Sequence, residues 1–168
     1  MSVTLKMPRH LVTKIQSDLH RAHPFALERV GFVSCGVSIV GSQVEINSMG
    51  YHPVLDDHYI DDQTVGAMLG PDAFRVALQY AYNNEASMFH VHRHEHYGRP
   101  RFSRTDVREY ARFIPNFWNV QPNLPHGAIL LSQDSMIARY WDPTDRKAHV
   151  LECIKIIELP KSKPGVYA

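Results

Sequence analysis

Four of the chain's 11 histidines stand at every second position in the stretch HVHRHEHYGRPRFSRTD, residues 90–106, which ends on an aspartate. Imidazole and carboxylate groups can hold zinc in proteins without any cysteine ligand. The two cysteines, Cys35 and Cys153, are far apart in sequence, and neither belongs to a CxxC pair. A metal bound by this chain would therefore be held by histidines and carboxylates.

The spacing of the histidines suggests which of them could converge on one ion. The segment ASMFHVH has the alternating pattern of a β-strand, and side chains two positions apart in a strand share a face. His90 and His92 would then point the same way, and Asp106 in the first turn of the following helix could supply a third ligand. Such a set leaves a fourth position open for water, as catalytic zinc sites do. His94 and His96 could instead act beside the ligands, or belong to a tract that merely scavenges metal.

Two other zinc patterns fit this stretch poorly. HRHEH, residues 92–96, matches the HxxEH pattern of inverted zinc proteases, which requires a helix, but Gly98 and Pro100 follow too closely for one. The zinc deaminase pattern requires PCxxC, and the chain has no CxxC. We therefore expect neither of these two kinds of site.

Helices and strands are predicted on both sides of these residues. Helices are predicted over residues 9–21, from Pro71 through PDAFRVALQYAYNNE, and from Ser103, which with Asp106 forms a variant of the capping box. Residues 51–70 are predicted to form a long irregular surface loop. Strands are predicted in RVGFVSCGVSIVGSQVEINSMGYH, divided by a turn at Gly41-Ser42, and in ASMFHVH, GAILLS, SMIARYWD and AHVLECIKIIEL. The sum is an α/β protein with about three helices packed on a sheet.

The composition indicates a single domain over residues 1–168. The chain is 44% hydrophobic with a formal net charge of +1, which suits one buried core and gives no basic surface for nucleic acid. No stretch approaches the roughly 18 apolar residues of a membrane-spanning helix, and the start lacks the pattern of a signal peptide. We therefore expect a cytoplasmic protein with no membrane or nucleic-acid partner. Residues 160–168 are expected to form a loosely ordered tail.

The ordered set of motifs resembles the JAMM zinc metalloproteases, the active members of the MPN family. HVHRHEHYGRPRFSRTD resembles their HxH…SxxD signature, and HPFALERVGFVSCG, which contains Glu28, resembles their upstream ExxG segment. The order of predicted elements over residues 8–115 is also theirs. The resemblance implies the MPN (JAB, cytidine-deaminase-like) fold with a mixed sheet, a zinc ion, Glu28 as general base and Ser103 as hydrogen-bond donor to the oxyanion.

The spacing departs from the family pattern in two places. Family members usually have Pro after the second His and about seven residues before the Ser, whereas counting from His92 this chain has Arg93 and ten residues. Two pairs of histidines are therefore candidate zinc ligands. We prefer His90 with His92, because Ser-Met-Phe before His90 resembles the small and bulky residues that precede the first family His, and place His92 with His94 second. In ERVGFVSCG the second Gly comes one residue later than usual.

The resemblance also implies a substrate. Prokaryotic members of this deubiquitinase-like group cleave after the C-terminal Gly of a ubiquitin-like protein, either in conjugates or in its precursor, and accompany E1-like and E2-like enzymes. The modifier's tail would add as a strand beside a sheet edge. The acids Asp56, Asp57, Asp61 and Asp62 could meet a basic residue before the tail's glycines, or could simply be solvated. Two alternatives stay open: a degenerate MPN scaffold protein, and a peptidase acting on sulfur-carrier precursors or small peptides.

Overall fold

The computed structural model describes residues 1–24, 26–62 and 64–158. The expected tail, residues 160–168, lies outside them. The described residues form eight strands and three α-helices, with two short 3-10 helices, Asp56–His58 and Ile114–Asn119. In chain order the main elements are β1 (Ser2–Pro8), α1 (Arg9–Leu19), β2 (Val30–Val40), β3 (Gln43–Pro53), α2 (Pro71–Asn84), β4 (Ser87–Arg93), α3 (Arg104–Phe113), β5 (His126–Leu131), β6 (Met136–Trp141), β7 (Ala148–Val150) and β8 (Cys153–Ile157).

The strands form one mixed sheet that curls into a half-barrel, in the order β7-β6-β5-β4-β2-β3-β1-β8. Strand β1 runs parallel to β3 and β8, and β4 runs parallel to β5. The remaining neighbours are antiparallel. The predicted α/β class, with a mixed sheet and three helices, is confirmed.

The helices cover both faces of the sheet, and the side chains of β4 point alternately toward one face and the other. Helix α1 buries Leu11, Ile15 and Leu19 in a cluster that includes Phe89 and Val91 of β4. On the other face, α2 buries three alanines in a cluster that includes Met88 of β4: Ala73, Ala77 and Ala81. Because side chains alternate along a strand, His90 and His92 follow Met88 onto the face that α2 and α3 cover.

The structure differs from the prediction mainly at the two ends of the chain. The prediction has no strand before α1, but β1 lies inside the sheet between β3 and β8. The segment AHVLECIKIIEL is not one strand: it divides into β7, which pairs with β6, and β8, which pairs with β1 at the opposite edge. Within the described residues, no helix has the length and apolar character needed to cross a membrane.

Candidate metal centre

The candidate centre lies where β4 ends and α3 begins. His92 is the penultimate residue of β4, and the His94 N–H donates to the Leu131 carbonyl at 2.8 Å, so the chain continues alongside β5 for one residue beyond the strand. This extended backbone keeps His92 and His94 on the same side of the sheet. Helix α3 follows after its N-cap Ser103 and presents Asp106 in its first turn.

Three side chains bring donor atoms together at this point. His92, His94 and Asp106 each offer one atom, and the three atoms lie within 4.8 Å of one another. His92 Nε2 is 3.4 Å from Asp106 Oδ1, and His94 Nε2 is 4.0 Å from Asp106 Oδ2. The His92 side chain is 2% exposed, and within the described part of the chain its Nε2 has no hydrogen-bond partner. A buried nitrogen without a partner, facing another imidazole and a carboxylate, fits a metal ligand.

His90, a member of the preferred pair in the sequence analysis, is not in this group. It is 6% exposed and lies against three aromatic rings: Phe32, Tyr110 and Phe113. Burial lowers its pKa to about 3, so the imidazole is neutral near pH 7. In the structure the alternative pair, His92 and His94, lies together with Asp106, whereas His90 lies outside this group. All three histidines share a face, but only the outer two approach the first turn of α3.

Ser103 and Asp106 form the predicted capping box at the start of α3. The Ser103 Oγ accepts from the Asp106 N–H at 3.0 Å, and Asp106 Oδ2 accepts from the Ser103 N–H at 2.7 Å. Burial raises the pKa of Asp106, but His92 and the Ser103 hydrogen bonds outweigh it and lower the pKa to about 2. The carboxylate is therefore ionised and held in place, as a metal ligand requires.

Glu28 is drawn to this site by the pairing of two strands. Val30 of β2 lies opposite His92 of β4, so the residues just before β2 run beside the end of β4. The Glu28 N–H donates to the Gly66 carbonyl at 2.7 Å, and its carboxylate rests on Gly66, where an added Cβ would lie 2.7 Å from Oε2. Burial raises the pKa of Glu28, His92 lowers it and Asp106 raises it. The carboxyl group is thus electrostatically coupled to two members of the metal group.

Sequence reasoning did not identify Tyr110 and Gly66 as parts of this site. The Tyr110 hydroxyl is 2.7 Å from His92 Nδ1 and 3.1 Å from His90 Nδ1, and burial raises its pKa so that it stays protonated. Its position four residues after Asp106, on the same face of α3, is a signal that the sequence does contain. Gly66 belongs to an irregular loop, and no local pattern indicates its contact with Glu28.

The acids of the long loop have two kinds of surroundings. Asp56 accepts from the buried Arg29 guanidinium at 2.7 Å, and Asp62 accepts from the Thr64 N–H at 2.9 Å, so these two carboxylates serve the local structure. Asp57 and Asp61 are exposed. His96, the fourth histidine of the opening stretch, is also exposed, and its ring centroid is 6.0 Å from that of His94.

A second trio, Asp142, Asp145 and His149, also places donor atoms within 4.8 Å of one another. Asp142 and Asp145 lie in the turn between β6 and β7, and His149 lies in β7. Asp142 accepts from the Thr144 N–H at 2.7 Å, and Asp145 Oδ1 accepts from the Lys147 N–H at 2.9 Å. Asp145 Oδ2 lies 2.8 Å from His149 Nε2. These hydrogen bonds explain the cluster as the framework of a turn, and we assign no metal to it.

Comparison of the chain with protein-family models found no match, and comparison with curated proteins found none either.

Proposed function

We propose that the protein is a zinc-dependent isopeptidase or peptidase of the JAMM type, with the MPN (JAB) fold, that cleaves after the C-terminal Gly of a ubiquitin-like protein. One observation carries this proposal. The buried His92 Nε2, which has no hydrogen-bond partner in the described part of the chain, faces His94 and the ionised Asp106, with the Glu28 carboxyl coupled to the same charges.

The donor set supports zinc. Two imidazole nitrogens and one carboxylate oxygen are a ligand combination of catalytic zinc sites, which keep a further position for water or substrate. When bound, zinc would polarise a carbonyl group and lower the pKa of water at the site. His92, His94 and Asp106 would hold it, with the capping box fixing Asp106 from behind.

Glu28 is the proposed general base. Burial keeps the pKa of its carboxyl above the usual value, which suits a group that must accept a proton and release it again near neutral pH. Glu28 takes a proton from the attacking water and delivers it to the nitrogen of the leaving amine. Ser103 is the proposed donor to the oxyanion. Its Oγ accepts from the Asp106 N–H at the start of α3, and its hydroxyl hydrogen would donate to the substrate oxyanion.

The exposed loop acids support a substrate with a basic residue before its terminal glycines. The hydrogen bond between Glu28 and Gly66 attaches this loop to the site, and Asp57 and Asp61 of the same loop are exposed. A modifier's tail would lie extended beside a strand, held by main-chain hydrogen bonds. E1-like and E2-like enzymes of the same modification system are the proposed partners.

The test uses a ubiquitin-like protein fused through its terminal Gly to a reporter protein. We expect the zinc-loaded chain to cut after that Gly, and Glu28→Gln to lower the rate by at least about 100-fold without loss of zinc. Glu152→Gln removes an exposed carboxylate near the sheet edge and should cut like the wild type. A zinc-loaded protein that cuts no Gly-terminated fusion would contradict the proposal. Cleavage of short peptides alone would favour the small-peptide alternative.

A further inference from the structure

A hydroxyl group connects two of the buried histidines. Tyr110 Oη lies 2.7 Å from His92 Nδ1 and 3.1 Å from His90 Nδ1. All three side chains are buried: Tyr110 is 3% exposed, His90 6% and His92 2%. Because the three groups are buried, water does not compete with these hydrogen bonds. The position of the proton on each group therefore depends on the other two groups.

The hydroxyl can serve both histidines in only one of two directions. It has one hydrogen to donate, so it must accept from one imidazole and donate to the other. If His92 Nδ1 carries a proton, the chain runs from His92 to Tyr110 to His90, and His92 Nε2 keeps a lone pair. In the reverse direction His92 Nε2 carries the proton.

The surroundings of His92 Nε2 favour the first direction. Its nearest carboxylate oxygen, Asp106 Oδ1, is 3.4 Å away, and within the described residues Nε2 makes no hydrogen bond. An N–H at this position would face Asp106 Oδ1 at 3.4 Å, longer than a good N–H···O hydrogen bond, and could not bind a metal ion. A lone pair there is what a metal ligand needs.

We propose that Tyr110 and His90 form a positioning relay that fixes the tautomer of His92, with its proton on Nδ1 and its lone pair on Nε2 facing His94 and Asp106. His90 is then the acceptor at the end of the relay and not a metal ligand. The inference rests on the metal site of the proposed function, but it concerns protons that exist whether or not the protein cuts any substrate.

The first test is nuclear magnetic resonance of metal-free protein with ¹⁵N-labelled histidine near pH 7.5. We expect the His92 pattern to be that of the Nδ1–H tautomer and the His90 pattern to be that of the Nε2–H tautomer. The same spectrum of Tyr110→Phe should show His92 averaging between its two tautomers, because Phe keeps the ring and loses the hydroxyl. A wild-type His92 protonated on Nε2 would overturn the relay, even if the variant failed to fold.

The second test is zinc affinity, measured by competition with a chromophoric chelator. Tyr110→Phe should weaken binding by about 10- to 100-fold, the range found when a group that orients a metal ligand is removed. Tyr51→Phe is the matched control, because it loses a buried hydroxyl that donates to Asp18 on the α1 side of the sheet. The control should bind zinc like the wild type. Unchanged affinity in a folded Tyr110→Phe would also overturn the relay.

The two proposals fail in different ways. A protein that binds zinc and shows the expected tautomers but cuts nothing would contradict the peptidase and leave the relay intact. A wild type that binds no zinc would contradict the proposed function, and the tautomer of His92 would still decide the relay.

Discussion

At the residue scale, Ser103 shows how one side chain can serve both the fold and the chemistry. Its Oγ accepts from the Asp106 N–H, which stabilises the start of α3 and holds a proposed metal ligand. Its hydroxyl hydrogen is proposed to reach the substrate. The two roles use different parts of one group, so different substitutions can separate them.

Ser103→Ala should lose both roles, whereas Ser103→Asp should lose only one. Alanine cannot cap the helix, so we expect a loss of about 1 kcal/mol in the free energy of unfolding. Aspartate is a good N-cap and should restore most of that stability, but as a carboxylate it cannot donate to an oxyanion. Both variants should cleave about 100-fold more slowly or worse. Urea unfolding and cleavage rates check this, and wild-type activity in Ser103→Asp would refute the oxyanion role.

We expect His126 to make the fold sensitive to acid. Its Nδ1 accepts from the Met88 N–H, its Nε2 donates to the Gln121 carbonyl, both at 3.0 Å, and burial lowers its pKa to about 4. Above pH 6.5 the residue is neutral in both states and does not affect pH dependence. As the pH falls from about 6.5 toward 4, the unfolded chain takes up the proton first, so stability falls by up to about 3 kcal/mol.

The comparison of wild type with His126→Gln checks this expectation. In metal-free protein, the variant should be less stable at pH 7.5 but should lose less of its remaining stability between pH 7 and pH 5. An equal loss in both proteins over that range would show that His126 does not titrate as its burial implies.

The types of residue in the site could be predicted from the sequence. How deeply each histidine side chain is buried could not. Period-two spacing correctly places His90, His92 and His94 on one face, and the SxxD motif correctly places Asp106 at the start of a helix. The rings that cover His90 come from β2 and α3, far away in sequence. Which pair reaches α3 is therefore decided by packing between elements, and no local pattern reveals it.

At the element scale, the loop between β3 and α2 holds Glu28 in place. Its Gly66 carbonyl accepts from the Glu28 N–H, and the Glu28 carboxylate occupies the space where a side chain at Gly66 would be. The loop is tied at its base by a bridge between Tyr59 and Leu69. It therefore supports the proposed base as well as bordering the site.

Gly66→Ala should impair catalysis without harming the fold. The new Cβ would lie 2.7 Å from Glu28 Oε2 and 3.0 Å from its Cδ, so the flexible carboxylate must move away. We expect cleavage to slow by about 10- to 100-fold, because small displacements of a reacting group are costly, while zinc content stays the same. Gly36→Ala is the control, since its Cβ would meet only Met49 atoms at 3.4 Å and beyond. Equal activity in the two variants would argue against Glu28 as the base.

Elements marked by local signals could be predicted, and elements defined by distant partners could not. Pro71 begins α2, Ser103 caps α3, and Gly41 adopts the positive φ of 62° that the predicted β2–β3 turn requires. Strand β1 and the division between β7 and β8 depend on pairing across the sheet, which brings the end of the chain beside its beginning.

At the scale of the whole molecule, packed apolar side chains form the cores of the fold. The two larger hydrophobic clusters lie on opposite faces of the sheet and join strands and helices from most of the described chain. The site is therefore built on a scaffold that other contacts hold together, unlike the metal of a zinc finger.

Removal of zinc by a chelator should leave the protein folded. We expect unchanged far-ultraviolet circular dichroism and cooperative unfolding, with a lower midpoint temperature because the binding free energy is lost. Returning zinc should restore both the midpoint and the activity. Collapse of the circular dichroism spectrum on chelation would mean that the ion is part of the core.

Zinc content shows directly whether His92, His94 and Asp106 form a metal centre. The wild type and two variants, His94→Ala and His96→Ala, would be loaded, desalted and analysed by elemental analysis. We expect about one zinc ion per chain in the wild type and in His96→Ala, and little in His94→Ala, because three ligands hold the ion. A wild type without zinc, or a His94→Ala protein that keeps it, would show that these three residues do not form a zinc site.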